Sequence, residues 1–173
     1  MKYLAAFILP LMLMSCVSVP KGIEPVQDFS VEHYLGTWYE IARLDHKFER
    51  GLSHVTAEYS LRPDGHINVK NIGYSAAEDR WQEAEGKASF VEDKTTGYLK
   101  VAFQWPFYSA YVVFKLDDNY EYAYVTGNDR DYLWLLSRTP QVDAKVMADF
   151  KATAESNGFN LNNLIMVNQV PLD

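Results

Sequence analysis

Between Gly36 and Ser137, apolar and polar residues alternate in successive runs, with turn residues between the runs and no helical period to interrupt them. Period-two alternation puts every second side chain on one face of a strand, so each run can bury one face and wet the other. The first run, Gly36-Thr37-Trp38-Tyr39-Glu40-Ile41-Ala42-Arg43, places Trp38, Glu40 and Ala42 on one face and Tyr39, Ile41 and Arg43 on the other. In the second, Val55, Ala57, Tyr59 and Leu61 share a face, and Pro63-Asp64-Gly65 turns the chain. Ile67, Val69 and Asn71 share a face of the third, Ala84, Gly86, Ala88 and Phe90 of the fourth, and Leu99, Val101 and Phe103 of the fifth. Residues 110–116 are apolar on both faces, so alternation leaves their register open. Two further runs, 120–126 and 132–137, complete eight. Sequential runs joined by short turns pair as an antiparallel meander, and eight strands close a barrel just wide enough for packed side chains or one small ligand. Beyond them Thr139-Pro140 reads as a helix start, and Val142, Val146, Phe150 and Ala154 repeat at helical spacing towards Gly158. The architecture expected is all-β, an eight-stranded up-and-down antiparallel barrel with a C-terminal α-helix packed outside and a ninth strand over 164–167.

The N-terminus follows a different rule. Met1-Lys2 precedes an apolar stretch from Tyr3 to Met14, too short to span a bilayer but suited to the core of a signal peptide. It ends in Leu13-Met14-Ser15-Cys16, which resembles the bacterial lipobox, where a small residue precedes a cysteine that becomes acylated. Cys16 is the single cysteine of the chain and cannot form an intramolecular disulfide, so a thioether-linked lipid gives it a purpose. Two or more acyl chains hold a protein on a membrane stably where one is marginal. Val17 stands where an aspartate would resemble an inner-membrane retention signal, which points to the outer membrane, with the domain facing the periplasm. The division expected is a signal peptide over 1–15, a lipidated tether over 16–28, broken by Pro20, Gly22 and Pro25, and one domain over 29–173.

The run from Gly36 to Arg43, eight strands after it, then Asp129-Arg130-Asp131-Tyr132-Leu133-Trp134-Leu135-Leu136-Ser137-Arg138 and a helix together resemble the lipocalin family, in particular its bacterial lipoprotein members. The resemblance covers essentially the whole chain. It implies that Trp38 sits at the closed end of the barrel with Arg138 across its face. The middle block of the family is weaker here, reading Leu116-Asp117-Asp118 before Tyr120. Many lipocalins tie the C-terminal segment to the barrel with a disulfide, and this chain must hold its tail by packing.

Charge and motif narrow the function. A net charge of −7 and a pI near 5.1 argue against nucleic acid, whose phosphates call for basic grooves. No nucleophile elbow, phosphate loop or zinc-protease signature occurs, so no enzyme, metal or cofactor is expected. The four histidines fall at expected strand ends and loops, where solvation is the ordinary state. Asp45, His46 and Glu49 read as a solvated charge cluster on a mobile loop.

If alternation holds, Ala57, Tyr59, Val69, Asn71, Ala84, Ala88, Phe90, Val101, Phe103, Tyr132 and Trp134 point inwards. Small residues among them fill a barrel poorly, which favours a cavity walled by aromatic rings. Tyr59, Asn71, Tyr111, Tyr132 and the Trp134 indole offer hydrogen bonds to a polar head or a trapped water near the mouth. The resemblance implies a fatty acid or lysophospholipid as the ligand. A packed barrel acting as an envelope structural or interaction lipoprotein is the alternative, and a homodimer would use the aromatic run Trp105 to Tyr108.

Overall fold

The computed structural model describes residues 17–172. The signal peptide and the lipidation expected at Cys16 lie outside the described residues. A single turn, α1 (Val31–Tyr34), leads into β1 (Gly36–Leu44), β2 (Leu52–Leu61), β3 (Ile67–Ser75), β4 (Arg80–Phe90), β5 (Tyr98–Gln104), β6 (Phe107–Leu116), β7 (Tyr122–Thr126) and β8 (Leu133–Ser137). A helix, α2 (Ala144–Ser156), and a short strand, β9 (Leu164–Met166), follow. The strands run in the order β2-β3-β4-β5-β6-β7-β8-β1-β9, and a further pairing of β1 with β2 closes the barrel. All these pairs are antiparallel, so the meander expected from the sequence is the one observed.

One irregularity in β1 reverses the expected faces. Glu40 pairs with Leu136 of β8 and Ala42 with Leu135, so Ile41 is an extra residue, a β-bulge, and the alternation changes phase there. Trp38 and Glu40 face the interior as expected, but Ala42 joins the outer core and Arg43 turns inwards to contact Glu40. No residue of the run marks the bulge, because one inserted position alters phase without altering composition.

Two cores result. Inside the barrel, Phe29, Tyr34, Trp38, Val69, Leu99 and Val113 fill the closed end. Outside, Val112, Tyr124, Leu133 and Leu135 pack under α2, whose Phe150 and Ala154 are fully buried. Strand β6 is therefore covered on both sides, with Tyr111 and Val113 inwards and Ala110, Val112 and Phe114 outwards, which is why its sequence does not alternate. Burying the Phe150 ring alone contributes about 1.5–3 kcal/mol. The helix starts later than the sequence suggested. Asp143, not Thr139, is its cap, with a carboxylate oxygen accepting from the Val146 N–H at 2.9 Å.

The segment expected to be a tether lies on the barrel wall in its described part. Pro20 and Ile23 are buried, Val17 and Val19 pack on the outer core, and the Val26 N–H donates to the Val113 carbonyl at 2.9 Å. The C-terminal tail is held by hydrogen bonds as well as packing. The Gln169 side-chain amide donates to the carbonyls of Glu40 (2.9 Å) and Val55 (2.8 Å), bridging β1 and β2 where their ladder has ended.

At the closed end the Arg138 guanidinium lies 3.9 Å from the centre of the Trp38 ring. It also donates to the carbonyls of Thr37 (2.9 Å), His33 (2.7 Å) and Tyr120 (3.3 Å). Gly36 opens β1 at φ +91°, and a β-carbon there would stand 3.5 Å from the same guanidinium. Because Arg138 supplies both a cation over an indole and donors to three carbonyls, Arg138→Met should cost about 2–4 kcal/mol. Arg138→Lys should recover less than half of that, since an ammonium cannot reach three carbonyls in a fork. Urea unfolding midpoints measure both, and a Met variant as stable as the parent would contradict this role.

Candidate ligand cavity

The barrel encloses a cavity of about 710 Å³ that is open at the end opposite Trp38. Of the residues expected to point inwards, Ala57, Tyr59, Val69, Asn71, Ala84, Ala88, Val101, Phe103, Tyr132 and Trp134 line it, together with Tyr111. Phe90 does not: it packs edge-on against Phe29, 6.1 Å between centroids, beneath the cavity. The reason is its place at the closed-end terminus of β4, next to the turn. Gly86, between Ala84 and Ala88, makes room for a neighbour, because a β-carbon there would lie 2.9 Å from the Phe103 ring.

The floor is a chain of phenols. Tyr111 Oη lies 2.7 Å from Tyr34 Oη and 2.8 Å from Tyr59 Oη, and the Trp38 indole N–H donates to the Tyr34 carbonyl at 2.8 Å. Burial pushes all three hydroxyls well above the ordinary phenol value, so they stay neutral and bond to one another. Tyr59 and Tyr111 are thus at the floor and not at the mouth, contrary to the expectation from sequence. Asn71 Oδ1, by contrast, is buried with no hydrogen-bond partner among the described residues and lines the cavity, so it offers an acceptor there.

The mouth carries charge. Arg43, 1% exposed, donates to Glu40 Oε1 at 2.6 Å and to the carbonyls of Glu49 (2.7 Å) and Leu52 (3.1 Å), which pins the loop 45–51 over the opening. Glu49 Oε2 accepts the Trp134 indole N–H at 3.1 Å, so that donor is already engaged. His46 Nε2 is 3.0 Å from the same oxygen, though neither ring nitrogen has hydrogen-bond geometry, and its ring meets Trp134 edge-on at 5.1 Å. His46 and His54 are buried at 7% and 8% exposure, which corrects the solvated reading of two of the four histidines. Asp45 turns away to Arg50 at 2.8 Å, so the loop's acids do not converge as a metal set. Burial and the facing charge of Glu49 raise Glu40 well above the usual carboxylate range, against the pull of Arg43. Burial would raise Glu49 too, but the His46 ring beside it and the hydrogen bond from the Trp134 indole leave it below its usual value.

Alternation had already put Glu40 on the Trp38 face, so it was legible as a lining residue; Leu99 was too, beside Val101. His46, Phe48 and Glu49 line the cavity from a loop, where no period could have placed them.

A match to the lipocalin-like domain spans residues 29–169. The chain belongs to the lipocalin family. It is 55% identical over 159 residues to outer membrane lipoprotein Blc of Vibrio cholerae serotype O1, covering 91% of this lipocalin and 93% of that protein. The Blc protein of Escherichia coli K12 is 51% identical over 150 residues, 87% and 85% of the two chains. The barrel also superposes on insecticyanin from the tobacco hornworm Manduca sexta with a TM-score of 0.69 at 20% identity, over 88% and 87% of the two chains. Lipocalins are non-enzymatic proteins that generally bind hydrophobic ligands, and this lipocalin shares that character. Its bacterial relatives share the name outer membrane lipoprotein, which places this lipocalin at the outer membrane.

Because Glu40 is raised, the folded lipocalin keeps a proton there that the unfolded chain releases above the ordinary value of 4.5. This group's contribution to stability therefore falls as pH rises from the mid-4s towards its folded value. Glu40→Gln should remove that fall, so the variant's melting temperature should gain on the parent between pH 5 and pH 8. A difference that stays constant over that range would contradict the raised carboxyl.

Proposed function

We propose that this lipocalin takes up one long acyl chain, as a fatty acid or lysophospholipid, and stores or transports it at the outer membrane while anchored through acylated Cys16. The cavity carries the reading. Its volume of about 710 Å³ falls within the roughly 300–1,000 Å³ usual for pockets that take one small ligand. Its walls include Val55, Ala57, Val69, Ala88, Leu99 and Val101 beside Asn71, with charged groups at the mouth and a phenol floor below. A packed envelope protein would have no use for such a space.

The energetics suffice. Each buried methylene contributes about 0.8 kcal/mol, so a long tail gives on the order of 12 kcal/mol gross, which leaves micromolar binding after the cost of association. The tail enters first, because the floor hydroxyls already satisfy one another, and the head stays near Glu40, His46 and Glu49. A fatty acid would bring its carboxylate against Glu49. In a lysophospholipid the groups next to the tail, an ester carbonyl and a glycerol hydroxyl, are neutral hydrogen-bonding partners, which favours it of the two.

Titration with a fluorescent fatty acid and with lysophosphatidylethanolamine should give saturable one-to-one binding that changes Trp134 emission, with the lysophospholipid the tighter. Ala88→Trp places an indole in the cavity and should weaken both at least tenfold while the far-ultraviolet circular dichroism stays that of the barrel. Wild-type affinity in that variant would overturn the cavity as the binding site. Separately, Cys16→Ser should move the protein from the membrane to the soluble fraction, and persistence in the membrane would overturn the anchor.

A further inference from the structure

The two ends of the barrel differ in what they show to water. Around the mouth stand Phe48 (67% exposed) on the β1–β2 loop, Trp81 (51%) at the start of β4, and Phe103 (45%), Trp105 (81%) and Phe107 (68%) about the β5–β6 turn. Around the closed end the large apolar groups in solvent are Leu61 and Val91. A monomer in water gains nothing from a ring of exposed phenylalanine and tryptophan, and such a patch marks a surface that something apolar covers. The carboxylates of Asp45 and Glu78 at this end are paired with Arg50 and Arg80, 2.8 and 2.5 Å away, while Asp129 and Asp131 stand on the β7–β8 loop.

The path of the N-terminal segment says which surface that is. Residues 17–29 lie on the outside of the barrel, start beside the β7–β8 loop, turn where the Ile23 N–H donates to the Pro20 carbonyl at 3.0 Å, and end at the closed end. At its start the Ser18 hydroxyl reaches the Asn128 carbonyl at 3.5 Å, and Arg130 donates to the Lys21 carbonyl at 2.7 Å, both from the β7–β8 loop, which is one of the loops around the opening. At its far end the Phe29 N–H donates to the Thr95 carbonyl at 2.7 Å, in the β4–β5 turn of the closed end. The Tyr98 side chain, which rises from the start of β5 along the outer wall, fixes Val17, the residue that follows Cys16, by donating from its hydroxyl to the Val17 carbonyl at 3.1 Å. The chain is thus docked on the barrel from Val17 onwards, and Ser18 and Lys21 lie against a loop of the mouth.

We propose that the mouth of the barrel rests on the bilayer that holds Cys16, with Trp105, Phe107 and Phe48 seated among the phospholipid head groups. This rests on the reading of Cys16 as acylated. A long free tether would let the domain turn in any direction, whereas a docked one holds the mouth near its anchor. Tryptophan and phenylalanine suit that depth, because their rings are apolar and partition to the membrane interface. With the mouth at the interface, an acyl chain passes between leaflet and cavity without crossing water.

Spin labels test the orientation. The full-length lipoprotein, purified in detergent and reconstituted into phosphatidylcholine vesicles, would carry a nitroxide at Trp105→Cys or, as the closed-end control, at the exposed Asn119→Cys. Vesicle flotation reads anchoring, and collision with oxygen against a water-soluble nickel complex reads depth. The expected result is that both proteins float, that the 105 label favours oxygen over nickel, and that the 119 label favours nickel. Floating protein with both labels in water, or with the 119 label shielded, overturns the orientation while leaving the anchor intact. A 105 label shielded from both reagents and broadened by a second spin assigns the rim to a second copy of this chain, and overturns it too. Protein that does not float overturns the acylation and this orientation together.

Discussion

The Arg138 guanidinium over the Trp38 ring joins three separate parts of the chain, since its donors end on carbonyls of α1, β1 and the β6–β7 turn. A meander of eight strands has no reason of its own to be shut at one end, and this contact supplies it. With Trp38 fixed, Tyr34 is fixed through its carbonyl, and the phenols of Tyr111 and Tyr59 line up behind it. The closed end is therefore a rigid floor, and the cavity above it is shaped by strands whose inward residues include alanines. The asymmetry of the molecule, one end stitched and the other open, follows from where the arginine and the tryptophan stand in the sequence.

At the mouth a second buried arginine does related work by other means. The bulge at Ile41 swings Arg43 inwards, and its donors to Glu40, Glu49 and Leu52 draw the β1–β2 loop down over the opening. The cost is a carboxyl in a low-dielectric place beside another acid, which burial and the Glu49 charge shift upwards from the usual carboxylate range. The β1–β2 ladder ends at Tyr39 and Thr56, just before the bulge, and leaves carbonyls that Gln169 of the tail then satisfies. One inserted residue thus accounts for the inward Arg43, its buried contact with Glu40 and the pinned loop.

The barrel was legible because its strands alternate and its turns carry Gly, Pro, Asp and Asn; even the run that did not alternate, β6, is explained by burial on both sides. Most of the cavity wall was legible for the same reason. What escaped was whatever does not follow a period. The phase change at Ile41 left Ala42 and Arg43 on the wrong faces, His46 and Glu49 came from a loop, and Phe90 fell below the cavity because alternation says which face a residue is on and not how deep it lies. Pro20, Gly22 and Pro25 break regular structure, and an irregular segment can pack on a wall as well as hang free. Asp143 is hidden as a cap because Thr139-Pro140 just before it carries the same helix-start chemistry.

The central claim is that the barrel holds one acyl chain. Native mass spectrometry of the chain purified without added lipid, followed by organic extraction and analysis of what is released, addresses it most directly. The expected result is a species heavier than the protein by a single fatty acid or lysophospholipid, which extraction removes and which the extracted protein takes up again in a one-to-one ratio. Protein mass alone, with no uptake of either lipid after extraction, would contradict it and leave the cavity without the role assigned to it.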